Sequence, residues 1–210
     1  MPDQAAITLF YVHDPMCSWC WGFRKEWLKL KASLPPQIRL ASHVGGLAPD
    51  SDEAMPEALQ RDIQSAWRRI EQVIPGTNFN FDFWTKNTPR RSTYPACRAV
   101  ITAREMADMA DEMTYAIQQA YYLQAQNPSD IDTLVNAARS IGLDADAFRQ
   151  RLQSDDIQHA LQAELARGRE LGVFSFPSLV LQTGDELHGV KLDYNSADNM
   201  LRDIRQQLEH

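Results

Sequence analysis

Short segments with the residue pattern of β-strands lie near both ends of the chain. The run Ala6–Val12 is rich in β-branched and aromatic residues, which is typical of a buried strand near the centre of a sheet. Apolar and polar positions alternate with a period of two over residues 37–44, which predicts another strand. Residues 177–183 and 186–192 flank a Gly-Asp pair, a pattern that predicts a β-hairpin.

Helical spacing replaces this alternation in the middle of the chain. Directly after the first strand, Cys20, Phe23, Trp27 and Leu30 mark one face of a helix. From residue 51 to residue 171 almost every signal is helical. Further helices are predicted over residues 55–74, 95–110, 111–126, 130–142, 145–153, 155–172 and 196–208.

Turn and capping residues separate these helices. Ser129, Asp144 and Ser154 each precede a helical pattern, at a position where a side-chain oxygen can accept a hydrogen bond from the first turn. Residues 75–92 form a long, aromatic segment without a clear period; such loops are often functional, although a solvated connector is the more common case.

The order of elements indicates one α/β unit that is interrupted by helices and then completed. We expect residues 1–50 and 172–210 to form the two parts of the α/β domain. Residues 51–171 would form a helical insertion. The terminal Leu-Glu-His, residues 208–210, resembles the remnant of a purification tag.

Composition and charge exclude several classes of protein. The 210 residues are 44% hydrophobic and 23% charged, with a formal net charge of -7, an ordinary globular composition without the basic clusters that nucleic acid requires. No apolar stretch is long enough to span a bilayer. Because the first residues lack a basic segment typical of a signal peptide, a cytoplasmic location is expected.

The strongest chemical signal is a pair of cysteines three positions apart, Cys17 and Cys20, in the stretch HDPMCSWCWGF. A structural disulfide is disfavoured, because the cytoplasm is reducing and three cysteines cannot build a disulfide framework. A zinc site needs a second pair of ligands, but Cys97 and the histidines are scattered singly, so no metal is expected. A redox-active pair is the remaining interpretation.

The predicted position of the pair suits redox chemistry. Cys17 falls at the turn between a strand and a helix, where unpaired backbone N–H groups and the helix dipole stabilise a thiolate. Cys20 lies one turn further into the helix and should be more buried. We therefore expect Cys17 to attack a disulfide first and Cys20 to resolve the mixed disulfide.

Several segments together resemble the DsbA-like branch of the thioredoxin superfamily. Asp14, Trp19 and Cys20 are similar to the D-x-x-C-x-W-C pattern of its FrnE-like and predicted disulfide-isomerase members. Residues 172–178, GVFSFPS, match its G-V-x-x-x-P-[ST] segment, and residues 87–100 are similar to the segment that opens its helical insertion beside the active site. The resemblance covers nearly the whole chain.

This resemblance implies an α/β thioredoxin fold interrupted by a large all-helical insertion, with thiol–disulfide chemistry at Cys17 and Cys20. It also implies a cis peptide bond before Pro177. Phe176 and Pro177 would then shape the substrate groove, with the Phe176 backbone available to pair with an extended substrate. Trp19 is expected to cover the thiolate and to meet the substrate.

Two enzymatic functions remain open at this point. The favoured one is a thiol–disulfide oxidoreductase or isomerase that acts on protein or small-molecule disulfides, without a cofactor but with glutathione available as a redox partner. The alternative is a glutathione-dependent isomerase or transferase related to the kappa-class transferases and hydroxychromene-carboxylate isomerases, which use a single Ser or Cys. Two cysteines favour the first, and an intact pair also disfavours a purely binding role. The oligomeric state is not predicted.

Other residues near these motifs have two interpretations each. Cys97 is expected to be a small core residue, and the alternative is a third thiol that faces the site. His13 could favour a thiolate but is expected to be structural. Arg90 and Arg91 are expected to be a solvated charge pair, with an anion site for glutathione as the alternative.

Overall fold

A computed structural model describes residues 7–209, so Ala6 of the predicted first strand and His210 of the terminal tripeptide lie outside the described residues. Four strands and nine helices occupy this part of the chain. In chain order they are β1 (Ile7–His13), α1 (Ser18–Ser33), β2 (Ile38–Val44), α2 (Glu57–Val73), α3 (Phe83–Lys86), α4 (Tyr94–Ala107), α5 (Ala110–Tyr122), α6 (Ile131–Ser140), α7 (Ala145–Leu152), α8 (Asp155–Glu170), β3 (Ser178–Thr183), β4 (Glu186–Val190) and α9 (Ala197–Leu208).

The four strands form one sheet in the order β2-β1-β3-β4, so both ends of the chain contribute to it. β1 runs parallel to β2 and antiparallel to β3, with Phe10 opposite Val180, and β3 and β4 form the predicted hairpin. β1 is therefore central, as its apolar run predicted. The predicted thioredoxin fold with a helical insertion is confirmed.

Both faces of β1 are buried, which explains why its sequence is almost continuously apolar. Leu9 and Tyr11 point to one face, where α1 and α9 cover the sheet. Phe10 and Val12 point to the opposite face, toward the segment that joins α8 to β3. The first helix and the last are thereby fixed against the same side of the sheet.

Two of the predicted helix caps are confirmed and one is wrong. The side chain of Asp144 accepts a hydrogen bond from the Ala147 N–H at the start of α7, and Ser154 caps α8 in the same way. Ser129 does not cap α6. Its hydroxyl donates instead to the carbonyl of Ser92 at 2.7 Å, because it is buried against the segment that precedes α4.

The aromatic segment between α2 and α4 is part of the core rather than a solvated connector. Trp67 of α2 is fully buried, and the rings of Phe79, Phe83, Tyr121 and Tyr122 lie within 6.1 Å of its own. We call these five residues the aromatic cluster. It contacts Trp21 of α1 through Tyr122 at a centroid distance of 5.7 Å, so it holds the helical segment against the helix that carries the cysteines.

Across residues 7–209, no helix combines the length and the apolar character needed to cross a membrane.

Candidate active site

Cys17 is the residue at which the fold brings three distant segments together. It is the N-cap of α1, and its backbone N–H donates to the Asp14 carbonyl at 3.0 Å. Its thiol donates to the carbonyl oxygen of Phe176 across a distance of 3.3 Å, although 159 positions separate the two in sequence. The end of β1, the start of α1 and the loop before β3 therefore meet at one sulfur atom.

The two cysteines of the pair occupy unequal environments. Both are free thiols, but Cys17 keeps 5% of its surface exposed, whereas Cys20 is fully buried. Burial raises the pKa of the Cys20 thiol well above its usual range, and the neighbouring Cys17 raises it further. Cys20 is consequently held protonated, and Cys17 is the thiol that a substrate can reach.

The loop before β3 has the predicted backbone. The peptide bond between Phe176 and Pro177 is cis, which confirms the expectation for this segment. The Phe176 ring lies against Gly45, at the end of β2, where a Cβ atom would overlap with three atoms of the ring. Glycine at position 45 thus leaves the space that lets the Phe176 carbonyl reach Cys17.

Replacing Gly45 should disturb the site without unfolding the protein. We expect Gly45→Ala to displace the Phe176 ring and to lower the rate of disulfide exchange by about tenfold to a hundredfold, as misplacement of a catalytic group by about 1 Å can do. The rate is measured with a small disulfide and with a protein disulfide. Gly189→Ala in β4 is the matched control, because a Cβ there would meet nothing within 4 Å. Equal rates in the two variants would contradict the proposed role of Gly45.

Asp14 is a buried carboxylate directly behind the pair. It is 0% exposed and accepts four hydrogen bonds: from the Met16 N–H at 2.8 Å, from the Leu47 N–H and the Thr93 hydroxyl at 2.7 Å each, and from the Cys97 thiol at 3.5 Å. Burial raises its pKa and these donors oppose the rise. Sequence reasoning named Asp14 only as part of a motif and missed this role in joining segments.

Cys97 is buried in the helical core and reaches the site only through Asp14. Burial raises the pKa of its thiol well above the usual range, and the Asp14 carboxylate adds to this effect. Cys97 does not line the cleft that contains Cys17. Of the two interpretations from sequence, the small core residue describes its packing, while its thiol also contributes one of the four hydrogen bonds to Asp14.

His13 is buried and stacks on the ring of Tyr11 at a centroid distance of 4.7 Å. Burial lowers its pKa to about 4, so the ring is uncharged at neutral pH. At neutral pH His13 therefore supplies no positive charge that could stabilise a Cys17 thiolate, which agrees with a structural role for this residue.

A cleft of about 340 Å³ opens beside Cys17. Its walls come from the start of α1, from the helical segment and from the loop before β3. The lining residues are Met16, Cys17, Ser18, Trp19, Leu47, Met55, Ile63, Ala66, Arg90, Arg91, Thr93, Tyr121, Phe174, Ser175 and Phe176. Trp19 lies at this cleft and packs edge-on against Tyr194.

Sequence reasoning missed most of the residues that line the cleft, Phe174 among them. Phe174 is 84% exposed at the rim of the cleft, and the sequence of its loop gives no signal of which aromatic ring faces solvent. A larger cavity of about 490 Å³ lies on another side of α1, near Trp21 and Tyr115. It contains neither cysteine of the pair, so the smaller cleft is the candidate active site. Among the described residues, no group of three or more His, Cys, Asp or Glu side chains could hold a metal ion.

A dithiol at the N-terminus of a helix, facing a cis-proline loop across a mixed sheet, defines the class of thioredoxin-fold proteins. A family model described as thioredoxin matches residues 10–202, and the chain belongs to this family. The curated relatives include the ClpXP adapter protein SpxH of Halalkalibacterium halodurans, which is 25% identical over 179 residues and aligns with 83% of this chain and 58% of that protein. The chain spans about three fifths of the length of the curated relatives it matches.

Solved structures share the DsbA-like architecture. A candidate protein disulfide isomerase from Nitrosomonas europaea superimposes with a TM-score of 0.85 at 23% identity, covering 97% of this chain and 98% of that one. The cytosolic disulfide reductase DsbM from Pseudomonas aeruginosa gives a TM-score of 0.77 at 23% identity, covering 96% and 98%. DsbM has also been solved with glutathione. The resemblance to the DsbA-like branch is therefore confirmed for the fold.

Proposed function

We propose that the protein is a cytoplasmic thiol–disulfide oxidoreductase or isomerase whose redox centre is Cys17-Ser18-Trp19-Cys20. The observation that carries this proposal is the geometry at Cys17. Its sulfur lies at the N-terminus of α1, opens onto a cleft and faces the Phe176 carbonyl at 3.3 Å, while Cys20 is buried one turn behind it.

The reaction proceeds by two exchanges. The Cys17 thiolate attacks one sulfur of the substrate disulfide, so that a mixed disulfide forms and the other sulfur leaves as a thiolate. Cys20 then loses its proton and attacks the Cys17 sulfur, which releases the second thiol and leaves a Cys17–Cys20 disulfide. Because burial raises the pKa of Cys20, it does not compete with Cys17 for the first attack. Two molecules of a small cellular thiol such as glutathione then reduce the Cys17–Cys20 disulfide to the dithiol and are joined to each other as a disulfide.

Three further residues bind the substrate in this proposal. The backbone of Phe176 pairs with an extended substrate segment, as an added strand would. Pro177 fixes the loop that presents that backbone, and Trp19 covers the sulfur at the mouth of the cleft. The substrates are protein disulfides or small disulfides. The second thiol, Cys20, favours this function over a glutathione transferase or isomerase that needs one nucleophile.

Reduction of insulin by dithiothreitol tests the proposal. The wild-type protein should accelerate the precipitation of insulin chains, and Cys17→Ser should reduce the rate to that of dithiothreitol alone. A glutathione conjugation assay run in parallel separates the two functions. Conjugation that survives Cys20→Ser, with no insulin reduction by the wild type, would support the transferase instead.

A further inference from the structure

The charge of the cleft differs from that of the chain as a whole. The protein has a formal net charge of -7, yet none of the described residues that line the cleft is acidic, and two of them are arginines. The Asp14 carboxylate lies behind the cleft, but it is fully buried and accepts four hydrogen bonds there. The lining of the cleft beside Cys17 therefore contains basic and no acidic side chains, on a protein that is acidic overall.

The two arginines have different roles. Arg90 is held by the protein: its Nη2 atom donates to the Asp130 carboxylate at 2.6 Å and to the Ser129 carbonyl at 3.0 Å. Arg91 is half-buried in the cleft and makes no salt bridge with any residue between 7 and 209. Its charge also acts on the cleft wall, where it opposes the rise that burial causes in the pKa of Tyr121. Arg91 is thus the guanidinium that an incoming ligand can use.

We propose that Arg91 is a specificity-determining residue of this cleft, and that it selects small disulfides that carry a carboxylate a few bonds from the sulfur. This inference rests on the proposed function and names its substrate class. A guanidinium binds a carboxylate through two parallel N–H donors. The cleft volume of about 340 Å³ and its apolar walls, which include Met55 and Ile63, suit a small molecule with a short carbon skeleton.

In the proposed reaction two electrons pass from the Cys17–Cys20 dithiol to the substrate disulfide. Cys17 attacks the sulfur of the half whose carboxylate is bound by Arg91, and the other half leaves as a thiolate that takes a proton from water. Cys20 gives its proton to solvent and attacks Cys17, which releases the bound half as a second thiol. The substrate disulfide is reduced and the Cys17–Cys20 pair is oxidised.

Three small disulfides of nearly equal size and different charge test the selection. They are 3,3′-dithiodipropionate, which is anionic, bis(2-hydroxyethyl) disulfide, which is neutral, and cystamine, which is cationic. The reduced protein is mixed with each at low and high salt, and the second-order rate of oxidation is followed by the change in tryptophan fluorescence or by mass spectrometry. Each rate is divided by the rate at which the same disulfide reacts with free dithiothreitol. This ratio removes the intrinsic differences in reactivity among the three compounds.

The wild type should prefer the anionic compound to the neutral one and the neutral one to the cationic one. In Arg91→Gln, the ratio of anionic to neutral rates should fall by roughly tenfold, equivalent to about 1.4 kcal/mol. Arg91→Lys should restore part of that ratio, because it keeps the charge without the paired donors. Arg39→Gln on β2 is the matched control, since it removes the same charge from an exposed position outside the cleft and should leave the ratio unchanged.

Two results would overturn the inference while leaving the proposed function intact. One is a wild-type protein that reacts with all three compounds and shows no charge preference. The other is an equal change of the ratio in Arg91→Gln and Arg39→Gln, which would indicate a general effect of net charge. Failure of the wild type to react with any disulfide would instead reject the proposed function.

Discussion

Cys20→Ser is expected to convert the protein into a trap for its substrates. Cys17 remains at the mouth of the cleft and can still attack a disulfide, but the buried thiol that would release it is missing. Covalent complexes should therefore accumulate. They would be visible as bands on a non-reducing gel that disappear with dithiothreitol, and mass spectrometry should locate the linkage at Cys17. Turnover should fall to the background rate.

Two companion variants make this expectation specific. Cys17→Ser should abolish both turnover and trapping, because Cys20 is fully buried and held as a thiol. Cys97→Ser should leave exchange largely intact, since a serine hydroxyl can still donate to Asp14. Limiting iodoacetamide offers a direct check on the reduced wild type. Labelling of Cys20 or Cys97 ahead of Cys17 would contradict the assignment of Cys17 as the attacking thiol.

His13 should make the protein sensitive to acid. Its pKa is about 4 in the folded protein and 6.5 in an ordinary environment, so the unfolded chain binds the proton more readily. Its contribution to stability is complete above pH 6.5, is lost as the pH falls toward 4, and changes little below that. A shift of this size corresponds to a loss of about 3 kcal/mol in the free energy of unfolding. Urea unfolding at several pH values between 7 and 4 measures it.

His13→Phe is the control for this effect. Phenylalanine can keep the stacking on Tyr11 and cannot take up a proton, so the difference in stability between the variant and the wild type should change with pH across this range. The comparison with the wild type at each pH also removes the contribution of Asp14, whose raised pKa acts in the opposite direction. A constant difference from pH 7 to pH 4 would show that His13 does not titrate in this way.

The sheet and the position of the cysteine pair could be predicted because local rules determine them. β1 is buried on both faces, so its sequence is apolar throughout, and the turn after it places Cys17 at a helix N-terminus. Asp144 and Ser154 cap their helices through contacts three residues away, which a sequence pattern can specify.

The parts that escaped prediction depend on contacts between distant segments. Ser129 has the sequence pattern of a helix cap, but its hydroxyl donates a hydrogen bond to the buried carbonyl of Ser92, 37 positions away. Arg90 and Arg91 are indistinguishable in sequence, and only the position of Asp130 in the fold separates the paired guanidinium from the available one. The aromatic segment was ambiguous for the same reason, since its partner Trp67 is on another helix.

The donors around Asp14 set a limit on protein engineering. Thr93 and Cys97 come from the segment between residues 51 and 171, whereas Met16 and Leu47 lie outside it. A shortened chain in which that segment is replaced by a tight linker would keep every residue of the CxxC motif. It would also leave a carboxylate with only half of its hydrogen bonds, at a cost of several kcal/mol if the group stayed buried. In a smaller scaffold that keeps position 14 buried, an apolar residue at that position would avoid this cost.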